Sequence, residues 1–189
     1  MRIVGGRFRG KKILLPEDKR IRPTSDRSRE ALFNILAHDR EMRRNEASLP
    51  QDARVLDIFA GTGAFGLEAL SRGAAHVTFI DNHAASLALI KKNVAAFGAA
   101  RQADILNRDG AKPGQVGEPY NLVLLDPPYR EGLVTPCLQN LQRGNWLAPE
   151  AVIVIEMAAK EAFDIPEGFT EVKERRYGAA RLIFLKLAA

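Results

Sequence analysis

Cysteine, histidine and long apolar runs are what this sequence has least of. A single cysteine, Cys137, in 189 residues excludes an intramolecular disulfide and any cysteine-built metal cluster. Three histidines form no ligand pattern, so no metal is expected. No uninterrupted apolar run approaches the roughly 18 residues of a membrane span. The opening MRIVGGRFRGKK lacks the apolar stretch of a secretory signal. A cytoplasmic protein with no membrane attachment is the expectation, and there is no repeat or low-complexity tract.

Acidic residues are scarce in one place only. Residues 1–44 hold 13 lysines and arginines against 6 acids, a balance of +7, whereas the remaining 145 residues hold 15 against 17. The excess of positive charge therefore sits in the N-terminal quarter. Neutralising phosphates releases counterions and gives sequence-independent affinity, so this asymmetry points to nucleic acid; the bland alternative is a solvated basic surface.

What is present is organised around residues 55–70, VLDIFAGTGAFGLEAL. The apolar run VLDIF suits a strand buried on both faces. A glycine-rich turn follows, then GLEALSRGA with apolar residues at helical spacing. Gly61, Gly63 and Gly66 satisfy G-x-G-x-x-G, a weak signal by itself. Asp57 adds to it. A pyrophosphate would be repelled by an acid at the strand's carboxyl end, whereas the cationic methionine part of S-adenosylmethionine would be attracted. The competing reading is a buried strand acid tied to loop N–H groups.

Before this stretch, RIV and KKILL read as a hairpin around the GGRFRG turn. Arg7, Arg9, Lys11 and Lys12 lie on it, with Phe8 either offering a ring to an unstacked base or capping the sheet. A helix follows, capped by Thr24, Ser25 or Asp26, with Ala31, Leu32, Ile35 and Leu36 as its stripe. Arg22, Arg27 and Arg29 crowd its start, where cations oppose the helix dipole, which suggests that some of them meet an anion. The charged tract 39–52 marks a boundary, giving a basic extension over 1–48 and a main domain over 49–189.

From Val55 on, strand and helix patterns alternate, which predicts a parallel α/β sheet with right-handed crossovers. HVTFID (76–81) ends in Asp81, the position at which a carboxylate holds a cofactor ribose. ADILNRD (103–109) ends in Asp109-Gly110, placed to read an adenine, with Asp104 as competitor. NLVLL (121–125) leads into Asp126-Pro127-Pro128-Tyr129. Two prolines stiffen that loop. Asp126 and the Pro127 carbonyl can both accept from one –NH2 group, and Tyr129 offers a flat face to a base. VIVIEM (152–157) is another buried strand, and VKERRYGAARLIFLKL closes the chain as a hairpin on an antiparallel edge.

With VLDIFAGTGAFGLEALSRGA, FID and LLDPPY in this order, the chain resembles class I S-adenosylmethionine-dependent methyltransferases acting on exocyclic amines. RIVGGRFRGKKI, RPTSDRSREALFNIL and GNWLAPEAVIVIE make it similar, over nearly its entire length, to the bacterial 16S ribosomal RNA guanine-N2 methyltransferase family. The resemblance implies a Rossmann-like, mostly parallel seven-stranded sheet with a C-terminal antiparallel hairpin. It implies a cofactor site from Asp57, Phe59, Ala60, Gly61, Thr62, Gly63 and Gly66, with Asp81 and Asn82 at the ribose and Asp109 with Gly110 at the adenine. It also implies Asp126, Pro127, Pro128 and Tyr129 at the target amine, and 16S ribosomal RNA or the small subunit as partner; separately, a monomer is expected. Relatives often carry a second acid two residues after the ribose acid, where this chain has His83. An NAD-dependent dehydrogenase would share the glycine loop but has no use for DPPY. A DNA adenine-N6 methyltransferase would use the same loops, and a non-catalytic RNA-binding module would account only for the basic N-terminus.

Overall fold

The computed structural model describes residues 1–16, 25–43 and 47–188. Parallel strands β1 (Arg54–Ile58), β2 (His76–Asp81), β3 (Ala103–Asn107), β4 (Tyr120–Leu125) and β5 (Leu147–Ala158) form most of a seven-stranded sheet. β6 (Phe169–Tyr177) and β7 (Ala180–Leu187) complete it as an antiparallel hairpin. The order β3-β2-β1-β4-β5-β7-β6 puts the later strand of that hairpin inside and β6 at the edge. Helices α2 (Ala64–Ser71) and α3 (Ala84–Ala96) follow β1 and β2, and α4 (Val134–Arg143) follows β4.

The apolar runs are buried because both faces of the sheet are covered, and alternate residues feed two separate cores. On β4, Leu122 and Leu124 pack with Leu67, Phe79 and Val94. Val123 and Leu125 face Leu138, Leu141 and Trp146 of the α4 side. The six-residue match HVTFID is β2 to the residue. β3 stops two residues short of the expected end, so Asp109-Gly110 belongs to the following turn.

The N-terminal hairpin forms a single antiparallel bridge, Arg2 with Lys12, rather than two full strands. Helix α1 (Asp26–His38) is capped by Ser25, whose hydroxyl accepts the Ser28 N–H at 3.0 Å; Thr24 lies outside the described residues. Ile3, Ile13, Leu32, Phe33 and Leu36 share the core of Val55 and Leu67. The extension is fastened to α2 through one buried carboxylate. Glu68 accepts the Val4 N–H at 3.0 Å, the Gly5 N–H at 2.8 Å, Arg72 at 2.8 Å and Arg29 Nε at 3.2 Å.

That last contact corrects an expectation. Arg29 is not available to RNA: it is fully buried and also bonds Asp26 and the Arg2 carbonyl. The anion that offsets its position near the helix start is internal, because Arg29 points inward at Glu68 rather than out to solvent. No described helix is long and apolar enough to cross a membrane.

Candidate active site

Sheet order makes the site. From β1 the chain steps outward to β2 and β3, and from β4 outward to β5, so the direction of winding reverses between β1 and β4. Crevices at the carboxyl ends of strands open at such a switch point. A cavity of about 700 Å³ lies there, lined by the loop after β1, the end of β2, the loop after β4 and the end of β5.

The glycine loop is shaped by three different needs. Gly61 and Gly63 have φ of 55° and 77°, the left-handed region that glycine enters without cost. Gly66 serves packing: a Cβ there would meet the Phe79 ring at 2.3 Å, so its absence lets α2 lie close on β2. Phe59 takes φ of 59° despite its side chain, a strained backbone of the sort that collects at functional sites. Asn93 holds the loop to the N-terminal segment, donating to the Thr62 carbonyl at 3.0 Å and accepting the Leu14 N–H at 2.8 Å.

Asp57 and Asp81 brace this loop as well as facing the cavity. Asp57 is buried and accepts the Gly66 N–H at 2.8 Å. Burial, first, and then the charges of Asp126 and Asp81 push its carboxyl well above the usual range, against the lowering effect of the Gly66 hydrogen bond. Asp81 accepts from Gly61 at 2.9 Å through one oxygen and from His83 at 2.8 Å through the other. Each carboxylate oxygen keeps a further lone pair, so both acids still have acceptor capacity toward a ligand. His83 is the N-cap residue of α3 with no side-chain cap, and it too borders the cavity.

Phe59, Ala60, Gly61, Thr62, Asp81, Asn82 and the tetrapeptide Asp126 to Tyr129 therefore converge on one space with Asp57. Gly63 and Gly66 shape the loop from behind. Asp109 and Gly110 are not among the described lining residues. Asp109 instead caps its own turn by accepting the Ala111 N–H at 2.9 Å. Gly110 leaves room for the Phe59 ring, whose carbon a Cβ would meet at 2.7 Å.

The basic residues separate by position. Arg7 and Lys11 sit at the far end of α2 and α3, the amino-terminal edge of the sheet. Arg7 bonds Ser71 through its backbone and Gln102 through its guanidinium at 2.6 Å. Phe8 packs edge-on against Phe97 at 5.3 Å, and Lys11 covers both rings, so the Phe8 ring is used within the protein. Arg9 and Lys12 are exposed on the same hairpin. Arg27 is exposed in the first turn of α1, beside Ser25 and Ser28, which do line the cavity. Arg22 lies outside the described residues.

Sequence reading missed Glu156, Tyr177, Ser25 and Ser28 as lining residues. Glu156 carried a signal, the lone acid in the apolar run VIVIEM. Tyr177 carried none: it reaches the cavity only because Ala158 of β5 pairs with Ala180 of β7, which brings the β6–β7 turn to the carboxyl edge.

A doubly wound sheet with a glycine loop after β1, an acid ending β2 and DPPY after β4 defines a Rossmann-like methyltransferase. The family described as conserved hypothetical protein 95 matches residues 1–186. The ribosomal RNA small subunit methyltransferase D of Escherichia coli K12 is 37% identical over 179 residues, covering 94% of this chain and 85% of that one. Its counterpart from Haemophilus influenzae is 34% identical over 184 residues, covering 94% and 89%. The solved structure of the Escherichia coli protein yhhF superposes with a TM-score of 0.82 at 34% identity, covering 100% of this chain and 98% of that one. The chain belongs to this family of ribosomal RNA small subunit methyltransferases.

Proposed function

We propose that this chain methylates the exocyclic N2 amine of one guanine in 16S ribosomal RNA, with S-adenosylmethionine as methyl donor. The observation that carries the reading is the charge of the cavity. Asp57, Asp81, Asp126 and Glu156 border it, and its described lining includes no lysine or arginine, in a chain of net charge +5. A ligand with an ammonium and a sulfonium suits that field, whereas the two phosphates of a nicotinamide dinucleotide would meet four carboxylates. The residues present fit the cofactor on this ground.

Asp57 and the loop Phe59 to Gly63 would hold its methionine part, and Asp81 with Asn82 its ribose. When bound, S-adenosylmethionine supplies an electrophilic methyl group whose bond to sulfur breaks as the bond to N2 forms, leaving a neutral thioether. Everything else falls to the protein. The guanine amine is a poor nucleophile because its lone pair is delocalised into the ring. Asp126 and the Pro127 carbonyl accept its two hydrogens, favour its pyramidal form and aim the lone pair, with Pro128 keeping the loop stiff. Tyr129 stacks on a base that has been unpaired or flipped from its helix. The proton leaves N2 only after the new bond has made the amine acidic, and Asp126 or a water beside it accepts it.

Residues 1–48 supply phosphate contacts in this reading. Mass spectrometry of ribosomal RNA from a strain lacking the gene tests the whole. The expected result is loss of a single N2-methylguanosine from the small subunit, restored by the intact gene; an unchanged modification profile overturns it.

A further inference from the structure

Glu156 is the one acid of the cavity that belongs neither to the cofactor-side pair Asp57 and Asp81 nor to DPPY. It lies near the end of β5, after the buried residues Val152 to Ile155, and is itself only 6% exposed. Register places it with care. Leu125 of β4 pairs with Ile155 of β5, and the next residue of each chain segment is an acid: Asp126, the first residue of the loop after β4, and Glu156, still on β5. Neighbouring strands run about 4.8 Å apart, and residues in register point to the same face. Both side chains border the same cavity, beside Tyr129.

Guanine offers two kinds of donor side by side, the N2 amine and the N1–H. Adenine and cytosine present a bare ring nitrogen at the corresponding place, where a carboxylate would set lone pair against lone pair. A carboxylate accepts only, and in a site shielded from water its hydrogen bonds are strong and its mismatches severe. We infer that Glu156 reads the target base by accepting the N1–H of guanine while Asp126 holds the N2 amine next to it. This rests on the N2 reading above and deepens it: DPPY positions an amine of any base, and Glu156 selects the base. It is a specificity-determining residue, and the proton stays on N1 throughout.

The test uses small subunits assembled in vitro with guanosine or 2-aminopurine at the target position. The analogue keeps the 2-amine but has a bare N1. The parent enzyme should methylate the guanosine substrate at least about a hundredfold faster, the scale on which a site built around a hydrogen bond rejects an analogue lacking it. Glu156→Gln can turn its amide N–H to a bare N1, so the preference should shrink to within about tenfold. Glu156→Ala should lose guanosine activity without gaining on the analogue. Cofactor titration and Tm of each variant report on folding separately. Equal rates on both substrates for the parent, or an unchanged preference in Glu156→Gln, overturns the inference and leaves the N2 reading standing. Absence of N2-methylguanosine from the parent reaction overturns both.

Discussion

The cavity at the carboxyl edge of the sheet and the hairpin at its amino edge carry opposite charge, and they are built by opposite means. At the carboxyl edge, acids gather around a cavity: Asp57 and Asp81 are fixed by loop N–H groups, while Asp126 and Glu156 each follow the last register pair of β4 and β5, Leu125 with Ile155. At the amino edge, Arg7 and Lys11 lie on a hairpin over the ends of α2 and α3, stacked on Phe8 and Phe97. Positive charge kept outside the cavity leaves the cavity free to favour a cationic cofactor. A negative cavity alone would repel RNA, so phosphate affinity has to be supplied elsewhere on the surface. The link between the ends is α2, which starts at the glycine loop and finishes under the hairpin.

The largest expected effect comes from cutting that link. Glu68→Ala leaves the Arg29 guanidinium without its buried partner and deprives the Val4 and Gly5 N–H groups of their acceptor. Breaking a buried pair in this way costs about 3–5 kcal/mol, which for a chain of this size lowers Tm by roughly 10 °C. Thermal unfolding of parent and variant measures it. A change of only a degree or two would mean that the hairpin and α1 are held by their apolar residues and by the Ser71 and Asn93 hydrogen bonds without help from Glu68.

Next in size is Asp126→Ala. Methyl transfer should fall at least about a hundredfold, the scale for removing a positioned polar group, with cofactor affinity within a few fold. The comparison between the ends sharpens here, because Asp126 borders the cavity and is proposed to meet the base there rather than the cofactor. A variant that also loses the cofactor would place Asp126 in the cofactor site instead.

Asp57 gives a pH signature. Its carboxyl is held above the ordinary range of about 4, chiefly by burial, and a cationic ligand prefers the ionised form. Affinity should therefore climb as pH rises through that elevated value and level off above it, with a proton released on binding in the climbing range. Calorimetry in buffers of different ionisation enthalpy reads the proton directly. Asp57→Asn should bind more weakly and lose the pH dependence; a parent whose affinity stays flat as pH falls to the ordinary carboxylate range contradicts the assignment.

Much of this is legible in the sequence, for identifiable reasons. Buried parallel strands are nearly continuous apolar runs, so HVTFID and NLVLL announce themselves, and the acids or prolines that end them mark the edge where ligands bind. Long-range consequences were not legible. Nothing local says that Arg29 turns inward, because its partner Glu68 is 39 residues away on another helix. Tyr177 reaches the site only through the pairing of β5 with β7. Asp109 looked like a strand end because the apolar pattern cannot tell Asn107 from a residue two positions later; the hydrogen bond to Ala111 makes it a turn residue.

The smallest effect tests the amino edge itself. Arg9, Lys12 and their neighbours Arg7 and Lys11 are exposed, as a phosphate-binding surface requires. Each phosphate contact adds roughly 0.7–0.9 to the slope of log affinity against log salt concentration. Replacing all four with Ala should lower RNA affinity and reduce that slope by up to about 3, with cofactor affinity unchanged because the cavity is at the other end of α2. A salt titration of RNA binding beside a cofactor titration distinguishes the outcomes. If the slope does not move, the hairpin is a solvated surface. Phosphate contact then belongs to the rim of the cavity, where Arg27 stands beside Ser25 and Ser28, and Arg175 and Arg176 are exposed next to Tyr177. Arg27→Ala would then change the slope by about one contact, and RNA would be gripped around the active site rather than along the flank of the protein.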